Sequence, residues 1–167
     1  MRVTISHEFR TSAETFWERC FLDEEFNRKL YLEYLKFPAY QLVESRQDGE
    51  KTLRKVRVTP NQEAPAPIKK LLGGAFAYVE EGVLDRAKNL YHFKVTPGTL
   101  ADKIRSEGDF RLEKTSEKSV RRVIEMNIEV KIFGVGGVAE GFVSKSMQDT
   151  YARAAEFTSR YIAENHL

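Results

Sequence analysis

Apolar and polar residues alternate along much of the chain, as in β-strands with one buried face. In the first strand Val3, Ile5, His7 and Phe9 share a face. Six further strands are expected, at Tyr40–Arg46, Leu53–Thr59, Phe76–Arg86, Leu90–Thr96, Ile104–Leu112 and Val120–Phe133. The inward positions of the last strand are Ile124, Met126, Ile128, Val130 and Ile132. The pattern therefore predicts a sheet of seven antiparallel strands.

Short helices are predicted in two places between these strands. Thr11 and Glu14 match a capping box that would begin the first, and Asp23 is expected to cap a second. The residues at helical spacing in the second are Phe26, Leu30, Tyr31 and Tyr34. Pro38 should end this pair of helices, because the residue before a proline is pushed out of the helical region. Later in the chain the segment IKKLL is expected to form one helical turn that stops at Gly73–Gly74.

A long amphipathic helix is expected from about Val138 to Ala163. Its apolar side comprises Val143, Met147, Thr150, Ala154, Phe157, Thr158 and Tyr161. Thr150 and Ala154 are small, so this part of the helix either approaches the sheet closely or leaves room for a ligand. Seven strands with one apolar face need a cover, and no other predicted element is large enough. We therefore expect an α+β fold in which a curved sheet grips the C-terminal helix.

The segment KIFGVGGVAEGF joins the last strand to this helix. Gly134, Gly136 and Ala139 match the dinucleotide pattern G-x-G-x-x-[G/A]. That fold needs a parallel βαβ unit, and no second strand follows within the sequence. A sharp turn from strand to helix is the favoured interpretation. The small residues would also widen the mouth of any cavity between sheet and helix.

Four segments carry a resemblance to a known family: VTISHEF, TPNQEAPAPIKKLLGG, YHFKVTP and IEVKIFGVGGVAEGF. Together with the order of elements, they resemble the START-like, or SRPBCC, superfamily with its helix-grip fold, and within it a bacterial family of unknown function. The resemblance covers residues 1–167 as a single domain. It implies an apolar cavity between the sheet and the C-terminal helix. Ligands in this superfamily include lipids, sterols and polyketides, and some members are enzymes.

The predicted cavity defines a set of candidate ligand-binding residues. They are His7, Tyr31, Tyr34, Tyr78, Phe110, Met126, Ile128, Val143, Met147, Thr150, Ala154 and Phe157. His7 shares an apolar face and is interpreted either as a core histidine or as a polar anchor or general base. His92 and His166 are expected at the surface. No residue is assigned as catalytic, and neither a metal nor another cofactor is expected.

Other charged residues leave alternatives open. Glu44 and Glu80 alternate with apolar residues, but a one-residue shift in register would expose them, so solvent-exposed positions are favoured. The basic residues Arg54, Lys55, Arg57, Arg121 and Arg122 are likewise interpreted as a solvated face. The alternative is one inward arginine that clamps a carboxylate or phosphate head group. The single cysteine, Cys20, is expected in the core.

Composition narrows the function classes. With 41% hydrophobic residues and a net charge of +2, the chain has the composition of a globular domain and shows no sign of a nucleic-acid partner. No signal peptide or membrane span is predicted, and a cytoplasmic location is expected. The predicted function is binding or transport of a hydrophobic small molecule or lipid. The alternatives are a cyclase- or hydratase-type enzyme and an interaction protein with a filled core. A cavity of ~300 Å³ or more would favour binding.

Overall fold

A computed structural model describes residues 1–61, 63–73 and 76–167 of the chain. Its strands are β1 (Arg2–Phe9), β2 (Ala39–Asp48), β3 (Lys51–Thr59), β4 (Tyr78–Asp85), β5 (Leu90–Pro97), β6 (Ile104–Ser116) and β7 (Ser119–Val130). They form one antiparallel sheet in the order β1-β7-β6-β5-β4-β3-β2. The predicted seven-stranded sheet is therefore confirmed, with the first strand paired to the last.

Two short helices follow β1, as predicted. Helix α1 (Ala13–Phe16) continues into a π-helical turn at Trp17–Phe21, and helix α2 (Glu24–Arg28) continues into a second at Lys29–Tyr34. The side chain of Asp23 caps α2 by accepting a hydrogen bond from the backbone amide of Phe26 at 2.8 Å.

The predicted cap of α1 is wrong by one residue. Ser12, not Thr11, caps the helix by accepting a hydrogen bond from the amide of Thr15 at 3.1 Å. The side chain of Thr11 is buried instead, and its hydroxyl has no partner among the described residues. A cap needs its side chain at the helix end, and burial takes Thr11 away from that position.

Two later helices complete the fold: α3 (Ala66–Leu72) and α4 (Gly136–Glu164). Helix α4 packs across the sheet against β1 and β7 and buries Ala139, Ala154, Ala155, Thr158 and Ile162. Helix α3 ends at Gly73, whose φ of 65° is left-handed, while the second predicted stop residue, Gly74, lies outside the described residues. The α+β helix-grip architecture predicted from the sequence is confirmed.

The glycine segment forms a turn and not a nucleotide site. Gly134 has a φ of 81°, and a Cβ atom at Gly136 would lie 2.7 Å from the carbonyl oxygen of Val130. Strand β7 ends at Val130, three residues earlier than predicted, because the chain turns here. Both neighbours of β7 are antiparallel, so the described chain contains no βαβ unit at this point. The dinucleotide alternative is thereby excluded.

Gly134→Ala should destabilise the fold. An alanine at this φ places its Cβ against the backbone, which costs about 1–2 kcal/mol of unfolding free energy. Gly137→Ala is the control, since Gly137 lies in the first turn of α4 and a Cβ there would have no atom within 4 Å. Urea unfolding of both variants checks this, and equal midpoints would contradict the need for a left-handed turn.

Candidate functional site

A cavity of about 220 Å³ lies between the sheet, α4 and the shorter helices. Most of its wall is apolar, including Phe16, Phe21, Leu30, Phe93, Phe110, Met126, Ile128, Val130, Phe142 and Met147. The cavity is smaller than ~300 Å³, the volume above which the sequence analysis expected a ligand-binding function. It is larger than the engineered apolar cavity of ~150 Å³ that binds benzene. The core is therefore not filled, and a ligand of one or two rings fits the space.

Most of the predicted site residues line this cavity. They are Tyr31, Tyr78, Phe110, Met126, Ile128, Val143, Met147, Thr150 and Ala154. Tyr31 reaches the cavity from the second π-helical turn, a distortion often found at functional sites. Ala154 lies at the centre of α4, where its small side chain borders the open space.

The other three predicted residues lie outside the wall. Tyr34 and Phe157 pack together with their ring centroids 5.3 Å apart, and Phe157 also packs on Phe26 of α2 at 5.4 Å. The side chain of Phe157 thus meets the short helices, not the cavity. His7 lies behind the wall, next to Arg122.

One polar cluster in the wall is an ion pair. Arg54 of β3 and Glu80 of β4 bring Nη1 and Oε1 to 3.3 Å, and the Tyr91 hydroxyl donates to the same oxygen at 3.1 Å. The guanidinium of Arg54 also lies 4.7 Å above the ring of Phe21. Gly82 makes this arrangement possible, because a Cβ atom there would lie 2.6 Å from the Tyr91 ring.

Burial controls protonation in this cluster. Burial raises the pKa of Glu80 above its usual value, and neither Arg54 nor the Tyr91 hydroxyl fully opposes the shift. Burial alone would lower the pKa of Arg54, but Glu80 and the nearby tyrosines raise it overall. Arg54 therefore stays charged.

Arg122 is a second buried arginine and has no carboxylate partner in the described chain. It lies on β7 opposite His7 of β1, and the residue is only 4% exposed. Its Nη2 donates to Nδ1 of His7 at 3.1 Å and to the carbonyl oxygen of Tyr151 at 3.3 Å. The rings of Phe9 and Tyr151 each lie 5.1 Å from its Cζ atom. Within the part of the chain described, its Nε atom is buried without an acceptor.

Arg122 and His7 form a pair of nitrogen bases of which only one is charged. Burial lowers the pKa of Arg122 to about 10, so the guanidinium remains protonated at neutral pH. Burial, with the charge of Arg122, lowers the pKa of His7 below its ordinary value. Since arginine can only donate, Nδ1 of His7 accepts, and the proton of the neutral ring lies on Nε2.

Three tyrosines, Tyr31, Tyr78 and Tyr151, also line the cavity. Their hydroxyls make no hydrogen bond to any other side chain or backbone group that the structure describes. Burial raises the pKa of Tyr31 to about 12, and it raises those of Tyr78 and Tyr151 as well. All three hydroxyls are therefore protonated at neutral pH and can donate to a ligand.

From the sequence, exposed positions are favoured for both buried arginines, and one inward arginine is only an alternative. The solvated-face interpretation is wrong for Arg54 and Arg122 but is confirmed for Arg57 and Arg121, which are exposed. The signal was present for Arg122, since it lies two positions before the inward-facing Ile124. The same alternation along β3 places Arg54 on the buried face.

Of the predictions for the remaining charged and polar residues, one is wrong and the others are confirmed. The exposed position favoured for Glu80 is wrong, because this side chain lies in the cavity wall, whereas Glu44 is exposed as expected. Cys20 is fully buried, and burial raises the pKa of its thiol to about 12, which makes it an unreactive core residue. His92 lies at the surface with Nδ1 2.7 Å from Asp109.

A family model described as "Protein of unknown function (DUF2505)" matches residues 4–162. The chain belongs to the DUF2505 family. A search of curated proteins finds no match to it. Within the described residues no helix is both long and apolar enough to span a bilayer. The same residues contain no cluster of three or more His, Cys, Asp or Glu side chains that could hold a metal ion.

Several solved structures share the fold of this DUF2505 protein. A START superfamily protein from Mycobacterium smegmatis is 16% identical with a TM-score of 0.61, covering 98% of this chain and 97% of its own. The Zhui aromatase/cyclase from Streptomyces sp. R1128 is 12% identical with a TM-score of 0.62, covering 96% and 95%. Norcoclaurine synthase from Thalictrum flavum is 16% identical with a TM-score of 0.65, covering 98% and 87%. At these identities the likeness shows a shared helix-grip fold.

Arg54→Met should destabilise this DUF2505 protein strongly. The change leaves Glu80 buried without its cation, which costs about 3–5 kcal/mol of unfolding free energy. Lys55→Met is the matched control, because Lys55 pairs with Glu81 at 3.6 Å on the solvent side of the same strands and should cost less than ~1 kcal/mol. Denaturant unfolding measures both, and equal losses would contradict a structural role for the buried pair.

His7 should make stability depend on pH. Its folded-state pKa lies below the ordinary value of 6.5, so the unfolded chain takes up a proton first as the pH falls. The free energy of unfolding should therefore decrease as the pH is lowered through 6.5 and stop decreasing from this source below the folded-state pKa. In His7→Gln the decrease in unfolding free energy that His7 causes should disappear. In the control His92→Gln, which changes an exposed histidine, the decrease caused by His7 should remain. If the free energy of unfolding changes with pH in the same way in the wild type and in His7→Gln, the lowered pKa of His7 is disproved.

Proposed function

We propose that this protein binds a small hydrophobic molecule in the cavity between the sheet and α4. The observation that carries the proposal is the unfilled, mostly apolar space of about 220 Å³ in a protein interior. Interiors are normally packed to the density of organic crystals, so such a space costs stability unless it serves another purpose. The shared fold of the aromatase/cyclase and of norcoclaurine synthase supports the proposal, since the names of both denote proteins that act on small molecules.

The size of the cavity favours a small ligand over a lipid. Pockets that enclose drug-sized molecules measure ~300–1,000 Å³. A single aromatic ring system buries ~150–250 Å², which contributes ~5 kcal/mol at 25 cal/mol per Å² before the cost of association. Apolar contact alone thus gives an affinity near the millimolar range, and tighter binding needs polar groups.

The cavity supplies such groups. Among the described residues, the hydroxyl of Ser106 is buried in the wall without a partner. The hydroxyls of Tyr31 and Tyr78 lie in the wall with no acceptor in the described part of the chain, and burial keeps them protonated. A few convergent donors in an apolar wall are the usual form of a small-molecule site.

A cyclase-type enzyme in the same cavity is the second candidate. Its support is Glu80, a buried carboxyl group in the wall with a raised pKa, as a general acid requires. However, the Oε1 atom of Glu80 is held by both Arg54 and the Tyr91 hydroxyl. These contacts are those of a structural ion pair, so binding is the preferred function.

Ala154→Phe tests the proposed cavity. The added ring should enter open space, lower toluene affinity at least tenfold and change the free energy of unfolding by less than ~1 kcal/mol. Saturation-transfer NMR and isothermal titration with toluene measure binding, and urea unfolding measures stability. Ala152→Phe, an exposed position on the same helix, is the control and should bind toluene like the wild type.

Two results would overturn the proposal. One is the absence of toluene binding to the wild type. The other is a loss of ~1–3 kcal/mol or more in Ala154→Phe with toluene binding unchanged, which is the result expected for overpacking a filled core. Native mass spectrometry of the protein isolated from its own host identifies any ligand that it carries.

A further inference from the structure

We propose that Arg122 is an anion-binding site and that the ligand is a small hydrophobic carboxylic acid whose carboxylate pairs with this guanidinium. The inference rests on the proposed function, since it assigns the chemical class of the molecule in the cavity. It starts from a difference between the two buried arginines. Arg54 has a carboxylate 3.3 Å away, and Arg122 has none in the part of the chain that the structure describes.

The charges in the cavity wall do not balance. Arg54 and Glu80 cancel, and Arg122 leaves one net positive charge on a side chain in the cavity wall that is almost completely buried. The rings of Phe9, Phe110 and Tyr151 near its Cζ atom attract the cation but carry no net charge. Burying an unpaired ion costs several kcal/mol, so an anion that enters this cavity removes a penalty already present in the empty protein.

The protein fixes one side of the guanidinium and leaves the other open. Nη2 donates its two hydrogens to Nδ1 of His7 and to the carbonyl oxygen of Tyr151. Nη1 has no acceptor among the described residues, and Arg122 is part of the cavity wall. Its two N–H groups are therefore free to donate to a carboxylate. His7 and Tyr151 act as positioning residues, because they hold the plane of the guanidinium.

Within the part of the chain that the structure describes, the surroundings of Arg122 contain no protein anion that could take this role. The groups whose charges act on it are His7 of β1, Tyr31 of the second π-helical turn and Tyr151 of α4. All three are neutral at pH 7, because burial lowers the pKa of the imidazole and raises those of both phenols. The facing position on β6 is the apolar Leu112. The negative charge must therefore come with the ligand.

A carboxylate fits better than a phosphate. It is a flat monoanion that matches the single free charge, whereas a phosphate monoester brings up to two negative charges to one guanidinium. The apolar body of the ligand would pack on Phe110, which lies 5.9 Å from the Cζ atom of Arg122 and in the cavity wall. One or two rings attached to a carboxylate fill the volume.

The test compares 3-phenylpropionate with its neutral amide, 3-phenylpropionamide, by isothermal titration. The wild type should bind the acid about 10–100-fold more tightly than the amide, the range expected for a charge-assisted hydrogen bond. Arg122→Met should abolish this preference and leave amide and toluene binding in place. Arg121→Met is the matched control, since Arg121 is the preceding residue on the same strand but points to solvent, and this variant should bind as the wild type does.

A second readout needs no variant and reports on the wild-type protein. Burial and, to a smaller extent, the charge of Arg122 lower the pKa of His7. Bound carboxylate offsets the charge, so saturating 3-phenylpropionate should raise that pKa part of the way toward its ordinary value of 6.5. The amide should leave it unchanged. The pKa is followed by NMR of the imidazole nitrogens, and it decides the question even if Arg122→Met does not fold.

The outcomes separate this inference from the proposed function. Equal binding of acid and amide, with toluene bound, overturns the role of Arg122 and leaves a hydrophobic site in place. No binding of any of the three compounds overturns both. If benzyl phosphate binds more tightly than 3-phenylpropionate, the ligand is not a carboxylic acid, but Arg122 is still the anion-binding group. An unchanged pKa of His7 with the acid bound also overturns the inference.

Discussion

The pairing of β1 with β7 is the constraint on which the site depends. It joins the first strand of the chain to the last and places His7 directly opposite Arg122. It also sets the direction of α4, because the turn at Gly134 starts from the end of β7 and sends the helix back across the same two strands. Tyr151 of α4 then reaches Arg122 from the other side. The first strand and the last strand and helix of the chain thus hold one guanidinium, and its position is a property of the whole fold.

The two buried arginines in the cavity wall differ in whether a protein carboxylate neutralises their charge. At Arg54 the carboxylate of Glu80 and the hydroxyl of Tyr40 accept hydrogen bonds from the guanidinium, and the Tyr91 hydroxyl donates to the same carboxylate, so the ion pair is part of the framework. At Arg122 the partners are a neutral imidazole, a carbonyl oxygen and aromatic rings, which orient the cation without neutralising it. Breaking the first arrangement leaves an unpaired charge, whereas the second already contains one.

Periodicity predicted the architecture and most of the cavity wall, because inward positions of strands repeat every second residue and those of helices every third or fourth. It failed for Phe157, where a position on the apolar side of α4 turned out to face α2. It also could not show that Arg122 has no carboxylate partner among the described residues, because that depends on register: a carboxylate at the position of His7 or Leu112 would have formed an ion pair with it. The π-helical turn that brings Tyr31 into the wall has no signal in the sequence.

An interior with these features is less stable than the same fold could be. Filling the space with apolar side chains and replacing Arg122 by an apolar residue would remove a void and an unpaired charge together. Proteins retain such local conflicts mainly at functional sites, where the cost is offset when a ligand binds. The void and the charge share one wall, so a single molecule with an apolar body and an anionic end relieves both. That coincidence is a stronger argument for a ligand than either feature alone, since a packing defect or a lone buried arginine could arise independently.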